Sequence, residues 1–117
     1  MLASEEFFFF GGKAGELGLY QQLTARMEQE LAPFERRVQK TQISFYHTGM
    51  FACVSLKWKN CLVVSFGLPD RVISPRIYQA VEIRPGRWTH HVKVFSPAEI
   101  DGELLGWLNA ASHFASR

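Results

Sequence analysis

The spacing of apolar residues changes twice along this chain, and those two changes constrain the fold more than any other feature. From Leu17 through Tyr20, Leu23 and Met27 to Leu31 they recur every three or four positions, which lines them up on one stripe of a helix. Between Arg37 and Phe95 the period falls to two, the spacing of strands that bury one face. From Ile100 through Leu104, Trp107, Leu108 and Ala111 the helical spacing returns. Helix, strands and helix in that order describe an α+β chain.

Local signals divide these regions further. Ser4 is placed to cap a short helix with Glu5 and Glu6 near its positive end, and Gly11-Gly12 stops it. The longer helix is expected from about Ala14, and Pro33 ends its pattern. Ser96-Pro97-Ala98-Glu99 supplies an N-cap, a proline at the first helical position and the return glutamate of a capping box, so the final helix is expected to begin there. Strands are expected over Arg37 to His47, Met50 to Trp58, Cys61 to Phe66, Ile77 to Arg84 and Arg87 to Phe95. Thr48-Gly49, Lys59-Asn60, Leu68 to Pro75 and Pro85-Gly86 read as the turns between them. The apolar run Cys61 to Phe66 belongs near the sheet centre. The expected architecture is a mostly antiparallel five-stranded sheet with an N-terminal and a C-terminal helix packed on one face. It forms a single domain over residues 1–117, with no repeat and no linker.

At 117 residues and 47% hydrophobic content, the chain can build a core without metal or disulfide staples. Cys53 and Cys61 lie in apolar runs without the short paired spacing of a zinc or redox site, so both read as reduced and structural, and no cofactor is implied. The start lacks a basic region leading into a cleavable apolar stretch. The longest strongly apolar run, Phe7 to Phe10, is far shorter than the roughly 20 residues that cross a bilayer. The expectation is a soluble, cytoplasmic protein without membrane partners.

The formal charge of +2 sums three unlike segments. Residues 1–35 carry −4, residues 36–95 carry +8, and the tail from Ser96 carries −2. The strand region is thus a basic block with only Asp70 and Glu82 as acids. Two helices cover one sheet face, so the other meets water or a partner, and parity says what it displays. With Val92 and Val94 facing the helices, Trp88 and His90 point inward, while Arg87, Thr89, His91 and Lys93 point outward. On the first strand Ile43 and Phe45 point in, and Lys40, Gln42, Ser44 and Tyr46 point out. A bulge in either strand would invert these assignments.

Several strings are shared with a bacterial domain family: Lys40-Thr41-Gln42-Ile43-Ser44-Phe45, Ser65-Phe66-Gly67-Leu68, Arg87-Trp88-Thr89-His90-His91, and the ending Ser96-Pro97-Ala98-Glu99 with Asp101, Leu104 and Trp107-Leu108. Through them the chain, from Phe7 to about Ala111, resembles the family known as domain of unknown function fifty-six fifty-five. The resemblance implies a small α+β domain that occurs alone or appended to longer bacterial proteins, some described as transport or nuclease-associated. It implies no activity. The element order is also similar to the frataxin-like topology, a likeness of fold alone.

Three classes of function are open to such a chain. The first is binding of a single nucleic-acid strand or a phosphorylated ligand. Lys40 and Arg87 would pair with phosphate, Gln42, Ser44 and Thr89 would add neutral hydrogen bonds, and His91 or Tyr46 would stack on an unpaired base. The second is metal-free acid-base chemistry on a phosphodiester by His91 beside Lys40. The scarcity of carboxylates in the strand region argues against triads, glycosidase pairs and two-metal sites. The third is a homodimer or partner interface at Phe7 to Phe10, where at least one of four consecutive rings is expected to stay exposed. Metal binding is disfavoured, because adjacent His90 and His91 point to opposite faces of a strand, and His90 reads as a buried residue satisfied by backbone or Thr41.

Overall fold

The computed structural model describes residues 4–115. Helices α1 (Ser4–Phe10) and α2 (Ala14–Glu30) come first. Six strands follow: β1 (Glu35–Val38), β2 (Ile43–Tyr46), β3 (Met50–Ser55), β4 (Leu62–Leu68), β5 (Ile77–Arg84) and β6 (Arg87–Val94). A 3₁₀ turn (Pro97–Glu99) then leads into α3 (Gly102–Phe114). Every strand pairing is antiparallel, in the order β1-β2-β3-β4-β6-β5. The α+β architecture is as the sequence indicates, with six strands in place of five.

The additional strand arises where one strand was expected to run from Arg37 to His47. The polar run Gln39-Lys40-Thr41-Gln42 offers no alternate apolar residue to bury, and the chain turns back there. The Gln39 N–H donates to the Gln42 carbonyl at 2.8 Å, and Val38 pairs with Ile43. Lys40 is therefore in a hairpin turn and Gln42 at its exit, rather than on a strand.

One sheet face carries the core. Ile43, Phe45, Ala52, Val54, Leu62, Val64, Phe66, Val92 and Val94 are buried against Tyr20, Leu23 and Met27 of α2 and Leu104, Leu105, Leu108 and Ala111 of α3. The central position of β4 is as expected, since all seven of its residues are buried. The Pro85-Gly86 turn closes the β5–β6 hairpin, with Gly86 at φ +78°, a conformation that side-chain-bearing residues rarely adopt.

The last helix starts later than the capping box suggests. That box is formed, with Glu99 accepting from the Ser96 N–H at 2.8 Å, but it caps only the 3₁₀ turn. The chain then leaves helical geometry at Ile100, and Asp101 becomes the N-cap of α3, accepting from the Leu104 N–H at 3.1 Å. Two arginines take the carbonyls freed at this break. Arg76 donates to the Glu99 carbonyl at 2.6 Å and to Asp101 and Glu103, while Arg26 donates to the Ile100 carbonyl at 3.0 Å. The guanidinium of Arg76 also holds the Asp101 carboxyl below its ordinary range against the opposing effect of burial.

At the other end, α1 is pinned to α2 and β1 by a partly buried polar cluster. The Tyr20 hydroxyl donates to Glu6, Arg36 donates to Glu6 at 3.0 Å and to Glu28 at 2.8 Å, and the Arg36 guanidinium packs over Tyr20 and Phe34. Burial first, and the Glu6 carboxylate second, push the Tyr20 phenol far above its ordinary value. Of the phenylalanine run, Phe10 is buried and Phe9 half-buried, while Phe7 and Phe8 stay exposed at 55% and 75%.

Candidate functional site

Strand register draws a polar row across the sheet face that the helices leave uncovered. Arg37, Ser44, Cys53, Ser65, His91 and Gln79 stand directly opposite one another in successive strands. At the centre of the row Ser65 Oγ and His91 Nδ1 are 2.7 Å apart. Burial, with the nearby positive charge of Lys57, holds the His91 imidazole below its usual value, so the ring is neutral near pH 7. The Cys53 thiol is pushed up by burial, an effect partly offset by its interaction with Ser65. It is not an activated nucleophile.

Beside this row, Lys93 of β6 extends over two aromatic rings. Its Nζ is 4.0 Å from the Trp58 ring centroid and 4.8 Å from that of Tyr78. Trp58 comes from the β3–β4 loop and Tyr78 from the bulge near the start of β5. The Trp58 Nε1–H donates to the Tyr78 hydroxyl at 3.2 Å, and the rings meet edge to face. Tyr78 also contacts the His91 ring, at 6.0 Å between centroids. Lys57 and Lys40 line a hollow of about 410 Å³ with Phe9, Thr41, Ser55 and Leu56.

The expected binding residues are not brought together in one place. His91 and Thr89 point outward as parity requires, and His90 points inward. Ser44 also points outward but is fully buried, because Gln39 and Gln42 close over it: Gln42 donates to Ser44 Oγ at 2.8 Å and Ser44 donates to Gln39 at 2.7 Å. Tyr46 is covered by the Arg37 guanidinium, 3.9 Å from its ring. Arg87 lies over Gly67, where a Cβ would come within 3.2 Å of the guanidinium, and reaches the Phe114 ring. It is six residues from Lys93, about 20 Å along the strand. Lys40 does not sit beside His91, since three strand spacings, about 14 Å, separate β2 from β6. The uncovered face is thus less open than expected, with Val63, Ser65 and Gly67 buried under side chains of neighbouring strands.

Sequence reasoning missed Trp58 and Tyr78. The available signal was Lys57-Trp58-Lys59, an aromatic between two cations at a turn. Tyr78 has no such signal, because a bulge between Ile77 and Gln79 sets its direction.

His90 belongs to the core. It stacks on Phe66 at 5.3 Å, and its Nε2 accepts from the Val72 N–H at 2.9 Å rather than bonding Thr41, which is exposed. An accepting Nε2 places the proton of the neutral ring on Nδ1. Burial lowers the imidazole's affinity for a second proton. Because His90 and His91 both hold folded-state values below that of the unfolded chain, near 6.5, the unfolded state binds more protons as pH falls. Stability is therefore expected to be full above about pH 6.5 and to be lower at pH 5.5 than at pH 7. Urea melts at the two values measure it. His90→Gln, which keeps an acceptor for Val72, is expected to flatten the profile, and an equally steep profile in that variant would show that His90 is not the source.

Among the described residues no group of three His, Cys, Asp or Glu side chains is placed to hold a metal ion, and no helix is long and apolar enough to cross a membrane. The chain belongs to the family described as Domain of unknown function (DUF5655), whose pattern matches residues 8–115. No curated protein and no solved structure matches it.

Proposed function

We propose that this domain binds the phosphate backbone of a nucleic acid along the uncovered sheet face, with Lys40, Lys57 and Lys93 as the phosphate contacts and His91 as a neutral hydrogen-bonding group. The supporting observation is the distribution of ion pairs. The acidic ends of the chain fold onto Arg36 and Arg76, and Glu35 reaches Arg37. Among the described residues, no carboxylate comes within ion-pair distance of the other seven cations of the basic block, including these three lysines. Lys40 in the β1–β2 turn, Lys57 in the β3–β4 loop and Lys93 near the end of β6 share one end of the sheet, and cations without acidic partners raise affinity for a polyanion through counterion release.

The expected footprint follows the β3–β4–β6 end of the sheet rather than its whole length. Lys40→Glu/Lys57→Glu is expected to weaken binding of a labelled oligonucleotide by roughly tenfold or more and to lower the salt slope by about two contacts. Arg87→Glu, at the far end of β6, is expected to change affinity less than threefold. Fluorescence anisotropy titrations of the three proteins test this. Equal affinity of wild type and the double variant would remove the reading.

A further inference from the structure

The pairing of Trp58 with Tyr78 under Lys93 is not explained by phosphate contacts, and it has the geometry of a stacking platform. Trp58 is 46% exposed although it is the largest side-chain type in the chain. Its indole is nevertheless fixed, by the hydrogen bond to Tyr78 and the edge-to-face contact at 6.2 Å and 88°. A large ring held in one orientation at the surface loses little freedom when a planar ligand stacks on it. Lys93 lies on both rings with no carboxylate in range among the described residues. Next to it is a hollow of about 360 Å³, lined by Tyr78, Lys93, Arg76, Phe95, Pro75 and Glu99.

Resting on the nucleic-acid reading above, we infer that Trp58 and Tyr78 form a subsite for one unpaired nucleobase, and that the base displaces the Lys93 ammonium from the rings onto the phosphate of the same nucleotide. The ligand class is therefore a single strand. In a duplex the base faces are occupied by stacking on their neighbours, and a side chain at the surface does not reach them. The exchange leaves no charge without a partner. Before binding, the ring faces satisfy the ammonium, and afterwards the phosphate does, while the base takes the rings. A sequence-tolerant site results, since every base presents a π face.

The test uses a short labelled oligothymidylate, the same strand with abasic sites, free thymidine monophosphate, and a duplex. These are titrated into wild type, Trp58→Ala and Trp58→Phe, with circular dichroism confirming that each variant is folded. Wild type is expected to prefer the base-bearing strand over the abasic strand and the duplex by roughly tenfold. Trp58→Ala is expected to lose that preference, with affinity lowered roughly 5- to 100-fold, the range of one base–aromatic contact. Trp58→Phe is expected to keep most of it. Binding of the monophosphate, abolished by Trp58→Ala, would identify the subsite as sufficient for a free nucleotide. Salt-dependent binding that ignores both the missing bases and Trp58→Ala would overturn the stacking subsite and leave the backbone-binding reading standing. No binding of any probe at low salt would overturn both.

Discussion

Arg36→Met is expected to destabilise the domain by about 3 kcal/mol, a large share of the roughly 5–15 kcal/mol that holds a domain folded. Methionine keeps the aliphatic stem but not the guanidinium that packs over Tyr20 and Phe34, so the loss combines the charge with part of that contact. What changes is the surroundings of Glu6, whose side chain is only 8% exposed and whose carboxylate receives Arg36 at 3.0 Å. Removing the cation from a buried carboxylate costs more than removing both members of the pair. The exposed Glu28 also loses a partner, but a surface pair of that kind contributes little. A second variant separates this account from a general packing defect: Glu6→Gln/Arg36→Met is expected to recover most of the loss in a urea melt. A loss below 1 kcal/mol in the single variant would show that the cluster is no more than a surface ion pair.

Phe66→Ala is expected to cost more still, about 4 kcal/mol. Phe66 is fully buried on the central strand and stacks on His90 on one side and Trp107 on the other, at 5.3 and 5.6 Å. Three aromatic rings from β4, β6 and α3 thus meet at one point, and truncating the middle one opens a cavity that neither neighbour can fill while His90 remains bonded to Val72. Chemical denaturation should show a lower midpoint with an unchanged slope. A small shift would mean that Trp107, half-buried beside Phe66, moves in to fill the space.

The sequence was legible where one physical signal acted alone. The stripe of α2, the period of two in the sheet and the inward direction of His90 each follow from the burial of apolar side chains. The errors occur where a competing local interaction overrode that signal. The first strand divides at Gln39 to Gln42 because a polar run has nothing to bury. The capping box of Ser96 and Glu99 forms but is attached to a single turn, since Arg76, Arg26 and Asp101 stabilise a second start five residues later. The candidate site was the least legible part. Outward parity identified Ser44, Thr89 and His91, yet parity says nothing about glutamines folding over a serine or an arginine lying across a glycine. Trp58 and Tyr78 entered the site through a loop and a bulge, where period carries no directional information. The basic block, by contrast, was legible as a net charge of +8 over residues 36–95, and the fold adds that, among the described residues, seven of its ten cations have no carboxylate within ion-pair distance.

The most direct test of phosphate binding on the uncovered sheet face is the salt dependence of wild-type binding to a labelled single strand, followed by anisotropy from low to physiological ionic strength. With Lys40, Lys57 and Lys93 each releasing counterions, the logarithm of the association constant is expected to fall against that of salt with a slope of about −2. A slope near zero, or no binding even at low salt, would contradict the account.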